Sequence, residues 1–205
     1  MAGSRKITHG PEAQAQILEA VDELFYREGA RAVGVEAVVN KAGLSKMALY
    51  RQFESKEALL MHYLERRDVE FWDYINNSLD QHPGDARAAL KQIYIDLAAR
   101  AIRPAYRGCP FVNIAAEFPD REHPARRFVA ENKARVIEKL RTLSAAAGAA
   151  DPNALAAALA LLLEGAYAAS QTYDSAESPL AALPETAETL IGAAVKAAGA
   201  AKRRP

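Results

Sequence analysis

The chain has 205 residues, half of them hydrophobic and a quarter charged, with 26 basic residues against 26 acidic ones. Such a composition can bury a real core, which excludes a disordered chain, and zero net charge leaves any nucleic-acid partner to a local patch. The lone cysteine, Cys109, excludes an intramolecular disulfide and fits a reducing compartment.

The first residues, MAGSRKITHGPEAQAQ, are polar and lack the apolar centre of a secretory signal. The longest apolar run, Ala154 to Leu163, is too short to span a bilayer, so a cytoplasmic protein without a membrane partner is expected.

In chain order, Pro11 opens a helix whose apolar residues Ile17, Leu18, Val21, Leu24 and Phe25 recur on one face, and Gly29 ends it. A shorter helix runs from Val35 to Lys41. AGLS then makes a tight turn with Gly43 at a position suited to positive φ. Ser45 is the N-cap of a third helix ending near Phe53, and Ser55 caps a fourth. The fourth runs from Lys56 to Leu79 with Leu60, Leu64, Phe71 and Ile75 in its stripe, until HPGD breaks it. Helical patterns follow at 85–102, 109–117, 123–147, 152–173 and 184–200, separated by prolines and glycines. No β-alternation intervenes, so the fold expected is all-α, with about nine helices.

The helix, turn, helix order around AGLS is that of a DNA-reading unit, whose second helix enters the major groove. From Lys41 to Lys56 four basic residues face one acid, Glu54. Lys46, Met47 and Gln52 have the chemistry for base edges, while Tyr50, Arg51 and Lys56 suit phosphates. A charged face exposed only to solvent has the same composition, so residue types alone leave both readings open.

Residue order goes further. The stretch Ile17 to Leu60, and within it AGLS, ALYRQF and SKEALL, closely resembles the DNA-binding domain of the TetR family of bacterial transcriptional regulators. The resemblance covers about the first quarter of the chain and implies a helix-turn-helix DNA-binding domain at 1–55, then a ligand-binding and dimerisation domain at 56–205. It implies a homodimeric regulator, in the commonest case a repressor, that binds a pseudo-palindromic double-stranded operator and is released by a small-molecule effector. By position it assigns Lys46, Met47, Ala48 and Gln52 to bases and Tyr50 and Lys56 to phosphate. Ala48 and Gly34 depart from the hydroxyl residues common at those positions. The alternative is an all-α ligand-binding or adaptor protein without DNA function.

For the dimer, the last two long helices are the candidates, through Leu155, Leu159, Leu162 and Leu163 on one and Leu190, Ile191 and Val195 on the other. The same stripes could pack inside one subunit. For the effector, Trp72, Tyr94 and Tyr167 are candidate lining aromatics. Cys109, Asn113 and Glu117, four apart, are candidate polar contacts on one helix face. A redox role for Cys109 requires an exposed thiol of lowered pKa. The four histidines, His9, His62, His82 and His123, have no paired ligand spacing, and no nucleophile motif, phosphate loop or dinucleotide fingerprint appears. No metal, cofactor or enzymatic activity is expected.

Overall fold

The computed structural model describes residues 10–173 and 178–201. Its helices are α1 Gly10–Glu28, α2 Val35–Ala42, α3 Lys46–Gln52, α4 Lys56–Asp80, α5 Ala86–Ala101, α6 Pro110–Glu117, α7 Pro124–Ala146, α8 Pro152–Thr172 and α9 Leu183–Ala201. A short 3-10 turn, Pro179–Ala182, precedes α9, and no strand occurs among the described residues. The all-α fold expected from periodicity is what forms.

The chain divides into two compact units, one of Met1–Asp68 with Asn113–Val129, the other of Val69–Val112 with Ala130–Pro205. The first therefore runs past the boundary expected at 55 and takes in a distant segment. In it, Ile17, Val21, Phe25, Val38, Leu49 and Phe53 bury the apolar faces of α1 to α3. The start of α4 adds Leu59, Leu60, Tyr63 and Leu64, with the Phe25 and Tyr63 rings edge to face at 5.7 Å. Asp22 of α1 is only 9% exposed and lies 2.6 Å from the Arg66 guanidinium and 3.4 Å from that of Arg67.

The segment 113–129 is tied to the turn between α1 and α2. The Arg31 backbone N–H donates to the Glu117 carboxylate at 2.7 Å, and the Arg31 guanidinium donates to the Glu117 carbonyl at 2.9 Å. This corrects the expectation that Glu117 faces an effector: its carboxylate is spent on the backbone of a turn. Asn113 and Glu117 lie four apart on α6, whereas Cys109 precedes its first residue, Pro110.

In the second unit α5, α8 and α9 pack around Leu90, Ile93, Leu97, Leu155, Leu159, Leu163 and Ile191. The Tyr94 hydroxyl donates to the Leu159 carbonyl at 2.8 Å within this core, so Tyr94 is a buried strut and not a cavity contact. The leucine stripe of α8 is thus mostly internal. Its outward face instead carries Ala154, Ala157, Leu161, Gly165 and Ala168, and that of α9 carries Thr186, Thr189 and Ala193. α8 is also long and apolar enough to cross a bilayer, with mean hydropathy 1.3 over eighteen residues, a third of them buried. The expectation drawn from the ten-residue run alone underestimated this helix; a core helix of a soluble fold meets the same criterion.

Gly108 holds φ near +69°, and a β-carbon there would lie 2.7 Å from the Gln171 amide nitrogen and 3.0 Å from the Tyr167 carbonyl oxygen. Only glycine has room at that approach to α8.

Replacing Asp22 by alanine removes the carboxylate that Arg66 and Arg67 share. Chemical denaturation is expected to show a loss of about 3 kcal/mol, with unchanged helix content by circular dichroism before the transition.

Candidate nucleic-acid interface and apolar cavity

The turn between α2 and α3 is built from backbone rules. Gly43 sits in the left-handed region at φ 70°, its N–H donates to the Asn40 carbonyl, and the Leu44 N–H reaches back to Val39 at 2.9 Å. This doubly bonded helix ending turns the chain sharply, and buried Leu44 anchors it. Ser45 then caps α3, its hydroxyl accepting from the Ala48 N–H at 3.2 Å. Leu49 and Phe53 are buried, which turns the opposite face of α3 outward.

On that outward face Met47 is 65% and Tyr50 54% exposed, large side chains left mostly in solvent among the described residues. Lys46 and Arg51 stand beside them, exposed. Ala48 is half-buried. Gln52 is half-buried too, its amide nitrogen 3.5 Å from where a β-carbon on Gly10 would sit. Lys56, expected on phosphate, donates to the Arg31 carbonyl at 3.1 Å, and burial lowers its pKa. α2 begins at Gly34 with no side-chain cap, as its sequence implied.

The basic face is partly self-neutralised. Lys46 pairs with Glu36, an interaction that raises the lysine's pKa, and Lys41 pairs with Glu23 at 2.7 Å, which lowers the acid's. Arg51 donates to the Met47 sulfur at 3.4 Å, a weak acceptor. These exposed pairs are worth little in water and can be exchanged for phosphates.

The second unit holds an apolar cavity of about 430 Å³ walled by Phe71, Val136, Ile137, Leu161, Leu163 and Tyr167. Its size is within the range of small-molecule sites. Two charged residues also line it: the Lys133 ammonium donates to the Glu164 carboxylate at 2.6 Å. The same ammonium lies 3.7 Å from the Cys109 sulfur and 5.2 Å from the centroid of the Tyr167 ring. Of the residues expected to contact an effector, Tyr167 lines this cavity. Trp72 lines a narrow adjoining cleft, and Cys109 touches the lysine from behind. Lys133 and Glu164 were missed by sequence reasoning, since their pairing joins two helices 31 residues apart. Cys109 is 2% exposed and burial pushes its thiol pKa up, so it has neither property of a redox sensor. Among the described residues no cluster of histidine, cysteine and acids could hold a metal; His9 lies outside them.

Comparison with known proteins covers both units. Residues 17–63 match the family model of bacterial regulatory proteins of the tetR family, and residues 84–184 match the tetracyclin repressor-like C-terminal domain. The HTH-type transcriptional activator FasR of Mycolicibacterium smegmatis is 38% identical over 55 residues, a match spanning 27% of this chain and only 25% of that regulator. Among solved structures, a TetR-family transcriptional regulator from Streptomyces coelicolor superposes with a TM-score of 0.81 at 26% identity, over 92% of this chain and 96% of its own. A Streptomyces avermitilis protein assigned as a TetR transcriptional regulator gives 0.77 at 31% identity, over 89% and 97%.

Substituting Glu36 by glutamine frees Lys46 from its partner. Fluorescence anisotropy with duplex DNA is expected to show a few-fold gain in affinity at low salt, and the slope of log affinity against log salt should steepen by roughly one unit.

Proposed function

We propose that the chain, which belongs to the TetR family of bacterial transcriptional regulators and is thus a DNA-binding regulator, acts as a homodimeric, ligand-responsive repressor released from a pseudo-palindromic operator by a small molecule. The observation that carries this reading is the outward face of α3: two large side chains, Met47 and Tyr50, held in solvent beside Lys46 and Arg51 by a rigid capped turn. Leaving that much apolar surface exposed on a seven-residue helix has a use when a groove covers it. In this reading Lys46 and Met47 meet base edges, Ala48 packs at the groove, and Tyr50 and Arg51 grip phosphate. Gln52 and Lys56 contribute once they leave Gly10 and the Arg31 carbonyl.

The outward faces of α8 and α9 support the homodimer. Ala154, Ala157, Leu161, Gly165 and Ala168 recur at helical spacing, as do Thr186, Thr189 and Ala193; Ala157 and Leu161 also line the cavity, so in this reading the seam and the cavity share an edge. Small side chains let helices of two subunits approach closely, and the pair of helices doubled by a two-fold axis makes a four-helix bundle. The cavity beside α8 supports effector binding in the same unit. An effector that favours one spacing of the two heads shifts the population by its differential affinity, and spacing matters because successive major grooves lie about 34–36 Å apart. FasR is an activator, so the direction of control in this protein is to be read from a promoter assay.

Selection of bound sequences from a random duplex pool tests the reading directly. Wild type is expected to enrich a palindrome at physiological salt, and Tyr50→Ala to lose the enrichment while folding normally; enrichment of no sequence by wild type, with and without cell extract as a source of ligand, would overturn it. Ala168→Glu is expected to sediment as a monomer where wild type sediments as a dimer. Its affinity for the full palindrome should fall toward that for a half-site.

A further inference from the structure

The cavity in the second unit differs from a plain apolar hole in one respect. Its wall carries two opposite charges that cancel at 2.6 Å, the Lys133 ammonium and the Glu164 carboxylate. We propose that this pair biases the cavity toward uncharged, mostly apolar small molecules over ions. The inference rests on the effector-binding reading above and sharpens it to a ligand class.

The argument is one of charge balance. The remaining walls, Phe71, Val136, Ile137, Leu161, Leu163 and the Tyr167 ring, offer dispersion contacts and no ion. An anion entering here competes with Glu164 for Lys133 and leaves a net negative charge among apolar side chains. A cation competes with Lys133 for Glu164 and leaves a net positive one. The site is open on one side, with the Glu164 side chain 41%, Ile137 42% and Leu161 73% exposed, so an unbalanced charge loses only part of its hydration and the bias against ions is modest. A neutral molecule disturbs neither. The side chains that enforce this are themselves restrained: Lys133 is 25% exposed and rests against the Tyr167 ring, which burial keeps protonated.

The test uses a matched pair of probes on the full chain. N-phenylnaphthylamine is neutral, and anilinonaphthalenesulfonate is the same skeleton with one anionic group. Trp72, the single tryptophan, lines the adjoining cleft and reports binding by energy transfer to either dye. Wild type is expected to bind the neutral dye a few-fold more tightly than the sulfonate. Glu164→Gln leaves Lys133 uncompensated, so the preference should shift toward the sulfonate. Lys133→Met leaves Glu164 uncompensated, so the sulfonate should weaken further while the neutral dye binds. Circular dichroism establishes that each variant is folded. Equal or tighter binding of the sulfonate by wild type, binding of neither dye, or a dye ratio unmoved by both substitutions would overturn the proposal. Operator release by cell extract is measured alongside: release that persists when the dye ratio fails sinks the ligand class alone, whereas a palindrome that no extract releases sinks the effector reading itself.

Discussion

A three-helix head is short of apolar surface. Helices α1 to α3 span fewer than fifty residues, and chains of that size bury too small a fraction of themselves to hold a fixed geometry without help. The help arrives from two places in the sequence. The first turns of α4 insert Leu59, Leu60, Tyr63 and Leu64, and two arginines of α4 close on buried Asp22. The segment 113–129 supplies Glu117, which holds the turn after α1 through its carboxylate and its carbonyl at once. The geometry of α3 rests on this borrowed support, since the recognition helix is itself only seven residues long and cannot persist alone. Helices α4, α6 and α7 each contribute residues to both compact units. The elements that steady the head are therefore the ones whose chains continue into the second unit.

The electrostatics of the recognition face follow the same economy. With no net charge to spend, the chain places its cations locally and parks two of them on acids of neighbouring helices, Glu36 for Lys46 and Glu23 for Lys41. Exposed pairs of this kind contribute little to folding. Each pair also cancels one positive charge of that face, so the charge it presents to solvent is smaller than its lysine count suggests.

Much of this was legible in the sequence. Helix limits fell within a few residues of the periodic pattern, and the Gly43 turn with its Ser45 cap was visible because both rest on local backbone rules. The family followed from the order of residues between Ile17 and Leu60. What local rules cannot reach is pairing across the chain. Glu117 meets Arg31 at a separation of 86 residues, and Lys133 meets Glu164 on another helix, so neither role has a signature in its own neighbourhood. The leucines of α8 illustrate a different limit: a hydrophobic stripe states that a face is covered and leaves open whether by its own subunit or a second one. The buried Leu155, Leu159 and Leu163 belong to the subunit's own core, and the alanine-bearing face is the one left outward.

Gly108 bears on how such a protein can change. Cavity walls of leucine, valine and phenylalanine accept volume-conserving exchange at modest cost, so a lineage can drift through many ligands without losing its fold. Position 108 has no such latitude: any β-carbon there would lie 2.7 Å from the Gln171 side chain and 3.0 Å from the Tyr167 carbonyl, in a backbone region unfavourable to other residues. Substitutions at the walls and at this glycine therefore differ in kind: the first alter volume among side chains that can adjust, whereas the second sets a left-handed backbone and a close approach to the α8 backbone against any added side chain.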